Sequence, residues 1–141
     1  MTEEQGTWIV YTDGASRGNP GPASYGAVVI DPAGNVVAEV SEAIGMTTNN
    51  VAEYRGLIAG LEAALALSAK RVEVRMDSEL IVRQAIGRYR VKNAALIPLH
   101  NRTLALRSQF DRVVFAHVPR ELNKHADMLA NRALDRGAAP A

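Results

Sequence analysis

Apolar and polar positions alternate over short runs near both ends of the chain, and repeat every three to four residues between them. Thr7 to Asp13 is β-branched and aromatic, which predicts a first strand closed by Asp13. Gly14 to Gly21 is turn-rich, with Asn19-Pro20-Gly21 as its strongest breaker. Val28-Val29-Ile30, after Tyr25-Gly26-Ala27, predicts a second strand. Asp31 to Asn35 is a turn, and Val36 to Ile44 a third strand, its latter half alternating. Two strands joined by so short a turn predict antiparallel neighbours.

Gly45 to Asn50 is a loop in which Thr48, Asn49 and Asn50 can each accept a helix-start N–H. Val51, Tyr54, Leu57, Ile58, Leu61 and Leu65 then recur at helical spacing, and the alanines and glycines among them allow another element to approach closely. Val72 to Asp77 alternates cleanly and predicts a fourth strand. A helix between strands is a crossover, so strands one and four are expected to run parallel. Asp13 and Asp77 would then lie side by side at carboxyl ends, where open α/β sheets bind ligands. Ser78 or Asp77 can cap a short helix through Ile86, ending near Gly87. Arg88 to Lys92 is basic with one aromatic, and Ala94 to Phe110 is helical with Pro98 in its first turn. Val113 to Val118 predicts a fifth strand, Pro119 to Asn123 a loop, and Lys124 to Leu134 a last helix. The class is α/β: one domain over 1–141, with a core of about 7–135 and a tail or truncated linker at 136–141.

Composition narrows the chemistry. At 141 residues and 48% hydrophobic, the chain can bury a core. A formal charge of +1 neither demands nor forbids a nucleic-acid partner, so local placement of charge must decide. There is no cysteine, hence no disulfide and no thiol chemistry. No apolar run approaches about 18 residues, so no membrane span is expected. The polar, acidic start, Met1 to Gly6, does not read as a signal peptide, and the default compartment is the cytoplasm.

An acid ending an apolar strand has an ordinary explanation as a turn aspartate. Glu53 inside the long helix, Asp77 after the fourth strand and Asp127 at the start of the last helix change that balance. Four acids at one rim would repel one another unless cations lay between them. All-oxygen ligands favour Mg²⁺ or Mn²⁺, and His100, His117 and His125 are poorly spaced for zinc. Two such ions about 4 Å apart suit phosphodiester hydrolysis.

Four ordered motifs then become specific. Tyr11 to Gly21, Thr48 to Tyr54, Asp77-Ser78 and Asn123 to Asn131 together resemble ribonuclease H, type 1, from about Trp8 to Leu134. The resemblance implies a five-stranded mixed sheet in order 3-2-1-4-5 with helices on both faces. It implies that Asp13, Glu53, Asp77 and Asp127 bind metal and are catalytic. It implies an endonuclease that cuts the RNA strand of RNA/DNA hybrids with two Mg²⁺ ions, Mn²⁺ substituting, leaving 5′-phosphate and 3′-hydroxyl ends. Expected nucleic-acid contacts are Gly14, Ser16, Arg17, Asn19, Thr48, Asn49, Asn50, Ser78, Arg88, Tyr89, Arg90, Lys92, Arg120 and Asn123. Bland readings stand beside several of these: turn glycine for Gly14 and Gly18, caps for the asparagines and Ser78, and packing on its own helix for Tyr89. A non-catalytic binder of the same fold would be expected to lose an acid, and all four are present.

Two departures bear on substrate grip. The basic helical protrusion of many members is missing, for Gly87 to Asn93 leads directly into the next helix. The histidine-bearing loop before the last helix is replaced by Val118-Pro119-Arg120-Glu121-Leu122-Asn123, as in the archaeal-type subgroup also found in actinobacteria. His117 stands six residues before Asn123, as that loop histidine does. Alignment of strand ends instead places His117 inside the strand and leaves Arg120 as the loop cation. A monomer is expected, and fusion to a further C-terminal domain would suit the Ala-Pro tail.

Overall fold

The computed structural model describes residues 6–138. Its strands are β1 (Trp8–Ser16), β2 (Gly21–Ile30), β3 (Val36–Thr47), β4 (Arg71–Met76) and β5 (Arg112–His117). Its helices are α1 (Asn49–Ala66), α2 (Glu79–Ala85), α3 (Ile97–Arg107) and α4 (Lys124–Ala138), with one 3-10 turn at Arg120–Leu122. The sheet order is β3-β2-β1-β4-β5. β1 pairs antiparallel with β2 and parallel with β4, as the crossover through α1 requires. β4 and β5 are also parallel, making the sheet mixed.

The two faces are covered differently. On one, Val10, Val72, Val74, Met76 and Phe115 meet Tyr54, Leu57 and Leu61 of α1, Ile81 of α2 and Leu106 of α3 in a continuous apolar core. On the other, α4 lies across β1, β2 and β3. The small residues of α1 have the expected use, since a Cβ on Gly60 would lie 2.8 Å from Thr12 Cγ2 and Val10 Cγ1. Thr48 is the N-cap of α1, accepting from Val51 N at 3.2 Å, and Ser78 caps α2, accepting from Ile81 N at 3.4 Å.

Several boundaries differ from the sequence reading. β2 begins at Gly21, not Val28, and β1 continues through Ser16. Gly-Pro-Ala-Ser carries turn chemistry, but pairing of all four residues with β3, and of Ala23 and Ser24 with β1 as well, holds it extended. α3 is shorter than expected, Ile97–Arg107, with Pro98 in its first turn. α4 continues through Ala138, beyond the Leu134 end read from the pattern. Arg136 Nη2 anchors this last turn to Ser41 Oγ at 3.1 Å. The rest of the expected tail, 139–141, and the acidic start, 1–5, lie outside the described residues.

Candidate active site

Sheet register brings the first two acids together. Tyr11 is opposite Arg75 in the parallel β1–β4 ladder, so two residues further on Asp13 stands beside Asp77. Asp13 does not end its strand, contrary to the sequence reading. β4 stops at Met76 while β1 continues alongside β2, with Asp13 opposite Gly26. The sheet parts at this point, and the carboxylates occupy the opening.

The other two acids arrive on helices from opposite faces. A Cβ on Gly14 would lie 2.3 Å from Glu53 N and 2.4 Å from Ala52 C, so α1 approaches β1 as closely as backbone allows. Gly14 N–H donates to Glu53 Oε1 at 2.9 Å. Gly14 is therefore no turn glycine; its missing side chain admits a helix of the same chain. Across the sheet, a Cβ on Gly26 would lie 2.4 Å from Ala126 O, which brings the first turn of α4 and Asp127 over Asp13.

Asp13, Glu53 and Asp77 each present a carboxylate oxygen within 4.8 Å of the others. Asp127 lines the same cavity, close enough for its carboxyl to raise that of Asp13. Burial first, then the charges of Glu53, Asp77 and Asp127, push the Asp13 carboxyl up to about 9. Burial and the Asp77 charge push Glu53 up to about 8, against the lowering effect of the Gly14 N–H. Like-charged oxygen ligands held this close, and costly to ionise without a counter-charge, fit hard divalent cations. The acids open into a cavity of about 420 Å³, also lined by Ser16, Arg17, Asn49, Arg120 and Asn131.

The expected nucleic-acid residues divide into groups. Gly14, Ser16, Arg17, Asn49 and Arg120 share the cavity with the acids. Asn19 Oδ1 accepts from Asn49 N at 3.0 Å, joining the β1–β2 loop to the start of α1, where Thr48 and Asn50 also lie. Ser78 sits beside Asp77 as the α2 cap. Arg88, Tyr89 and Arg90 line a separate open hollow between α2 and α3 with Gln84, Gly87 and His100, and Lys92 is exposed just beyond. Tyr89 also stands 5.5 Å from the Arg83 guanidinium, in cation–π contact within its own segment. Asn123 is only 1% exposed and, with Gly14, is one of the two buried residues of the set.

His117 is the last residue of β5, opposite Met76. It lines a hollow with Glu79, Val82, Arg83, Ile86 and Arg88, away from the acid cavity. The strand alignment of this region is the one observed, and Arg120, not His117, lines the cavity. Asn131 carried no expectation from sequence. It lies one turn after Asp127 and donates to Asp127 O at 3.0 Å, so helical spacing alone could have placed it at the site.

Comparison with known proteins agrees with this geometry. A family model described as reverse transcriptase-like matches residues 11–133. A bifunctional protein of Mycobacterium tuberculosis is 52% identical over 134 residues, covering 94% of this chain but 37% of that protein. RNase H1 from the halophilic archaeon Halobacterium salinarum superposes with a TM-score of 0.90 at 45% identity, covering 93% of this chain and 99% of that one. LC11-RNase H1, solved in complex with RNA/DNA hybrid, superposes with a TM-score of 0.88 at 46% identity, covering 94% and 99% of the two chains.

Proposed function

This chain belongs to the ribonuclease H type 1 family, and we propose that it hydrolyses the RNA strand of RNA/DNA hybrids by metal-dependent endonucleolytic cleavage, leaving 5′-phosphate and 3′-hydroxyl ends. The observation that carries the proposal is the meeting of Asp13, Glu53 and Asp77 within 4.8 Å of one another in an open cavity shared with Asp127. LC11-RNase H1, whose structure was solved with RNA/DNA hybrid, supports the substrate class.

Asp13, Glu53, Asp77 and Asp127 are the metal ligands in this reading, and Mg²⁺ is the natural ion, with Mn²⁺ as its substitute. Two bound cations would supply a water of lowered pKa and a counter-charge for the leaving oxygen. The chain itself does the positioning. Gly14 N–H holds one oxygen of Glu53 and so orients the other. Arg17 and Arg120 bring positive charge to the mouth of an acidic cavity, where a phosphodiester must be held against repulsion. Ser16, Asn19, Asn49 and Asn50 supply neutral hydrogen-bonding groups near the β1–β2 loop and the start of α1, suited to a strand bearing 2′-hydroxyls. The exposed Arg88, Tyr89, Arg90 and Lys92 form a second contact surface for the paired DNA strand.

A single copy contributes every residue of this site, which supports action as a monomer. Among the described residues, no helix is long and apolar enough to cross a membrane, and we place the activity in the cytoplasm. The chain spans 37% of its mycobacterial relative, which supports a natural form joined to a further domain. The deciding assay incubates the protein with labelled RNA/DNA hybrid, double-stranded RNA and double-stranded DNA, each with Mg²⁺, Mn²⁺ or EDTA. Cleavage of the RNA strand of the hybrid, only with metal, is expected. Intact hybrid at every metal concentration would overturn the proposal.

A further inference from the structure

Asn123 is buried beside the cavity, as Thr12, Asp13 and Glu53 are, but it comes from the segment that leads into α4. It is 1% exposed, although it directly follows the exposed 3-10 turn that carries Arg120 and precedes α4. Its side-chain Nδ2 donates to Thr12 O at 2.9 Å, one residue before Asp13. Its carbonyl accepts from Asp127 N at 3.1 Å, and its own N–H donates to Arg120 O at 2.9 Å. One buried residue therefore bonds directly to the segment preceding Asp13, to Asp127 and to Arg120.

The location explains why a side chain is needed there. β1 and β4 are paired only as far as Tyr11 and Arg75, because β4 ends at Met76. Beyond that point the backbone of β1 has no strand partner on the β4 side. The Asn123 amide supplies the missing rung to the Thr12 carbonyl and ties α4 to the sheet at the height of the acids. Its Oδ1 has no hydrogen-bond partner among the described residues, so the Thr12 carbonyl is the one side-chain contact they record for this amide.

We propose that Asn123 is a positioning residue that sets the separation of Asp13 and Asp127, and not a nucleic-acid contact. The proposal rests on the ribonuclease H reading of the site. Asn123 acts through the Thr12 carbonyl on one side and the Asp127 N–H on the other. Losing its amide donor frees the start of α4 from β1 and loosens the metal-binding geometry, while the surfaces that meet hybrid stay in place. Aspartate is nearly isosteric with asparagine but offers no donor, and it sets a negative oxygen against the Thr12 carbonyl.

The test compares Asn123→Asp and Asn123→Ala with the unaltered chain in three measurements: Mn²⁺ binding by calorimetry without nucleic acid, hybrid binding by anisotropy in EDTA, and kcat and KM on hybrid with Mg²⁺. The expected result is Mn²⁺ affinity weakened at least about fivefold and kcat lowered roughly 10- to 100-fold, because small misplacements of reacting groups carry costs of that order. Hybrid affinity in EDTA stays within about twofold, as for a change that touches no binding surface. A raised KM and weakened hybrid binding with unchanged Mn²⁺ affinity would make Asn123 a contact and overturn the proposal. Unchanged behaviour in all three would also overturn it, as would failure of both variants to fold, which would make Asn123 a stability residue. Inactivity of the unaltered chain would instead overturn the ribonuclease reading, and the Mn²⁺ titration would still judge this one.

Discussion

Gly14 and Glu53 are joined twice: the Gly14 N–H donates to the Glu53 carboxylate at 2.9 Å, and the bare Gly14 Cα lets the backbone of α1 pass where a Cβ would be 2.3 Å from Glu53 N. The strand that carries one acid thereby positions the helix that carries another. Gly14→Ala is expected to push α1 from β1, costing ~1–3 kcal/mol of stability as an overpacked contact does. Turnover should fall about 10²-fold through displacement of Glu53. Thermal melts and kcat check both, and wild-type values for each would show that the contact yields without consequence.

Asp13→Asn keeps nearly the same shape but replaces a buried carboxyl, raised to about 9 and therefore obliged to take up a proton on folding, with an amide that never ionises. The metal-free variant should be more stable than the unaltered chain by roughly 1–3 kcal/mol, the scale of an unsatisfied buried polar group. Cleavage of hybrid should fall by at least about 10³-fold, because a ligand of the metals is removed. Urea unfolding in EDTA, paired with a hybrid assay in Mg²⁺, separates the two effects. A loss of metal-free stability would contradict the electrostatic account.

The pH dependence follows from the sign of the shifts. Asp13 and Glu53 have folded-state values of about 9 and about 8, above their ordinary 3.8 and 4.5, so the native state binds protons that the unfolded chain has released. Their contribution to metal-free stability is complete below pH ~4 and is lost as pH rises through about 8 to 9. Saturating Mg²⁺ or Mn²⁺ should flatten this loss, since the ion replaces the proton as counter-charge. Apparent metal affinity should correspondingly rise with pH over the same interval. Melting temperatures from pH 5 to 9.5, with EDTA or Mg²⁺, measure both, and a metal-free Tm that climbs with pH over this interval would refute the assignment.

Replacing Arg88, Arg90 and Lys92 together with alanine tests the second contact surface. These side chains are exposed and stand apart from the acid cavity, so folding and metal binding should be unaffected. Hybrid affinity should weaken, and its salt slope should fall by up to about 3, one counterion for each phosphate that is no longer neutralised. Unchanged affinity and slope would move the grip to Arg17 and α4.

His117 and Arg120 make a paired test. Arg120→Ala should lower turnover roughly 10- to 100-fold, as the loss of a positive group beside a reacting phosphate does. His117 is exposed and lines a different hollow, so His117→Ala should leave kcat and the melt within about twofold and ~0.5 kcal/mol. A hundredfold loss for His117→Ala with an unchanged melt would show that the histidine reaches the site during turnover.

Alternation in β4, helical spacing in α1, the caps Thr48 and Ser78 and the four acids with their order were all legible in the sequence, because each is written in neighbouring residues. The strand nature of Val113 to His117 was legible for the same reason, and it already separated His117 from Arg120. Other features depended on distant parts of the chain. Gly21 to Ala27 carries turn residues and becomes strand only between β1 and β3. Gly14 looks like a turn residue until α1 lies against it, 39 positions away. Asn123 looks like a polar loop residue until its amide reaches Thr12, 111 positions away. Local pattern specifies which residues carry the chemistry and on which elements. Only tertiary packing, where β4 stops short and two helices press on β1 from opposite faces, decides how far apart the four carboxylates stand.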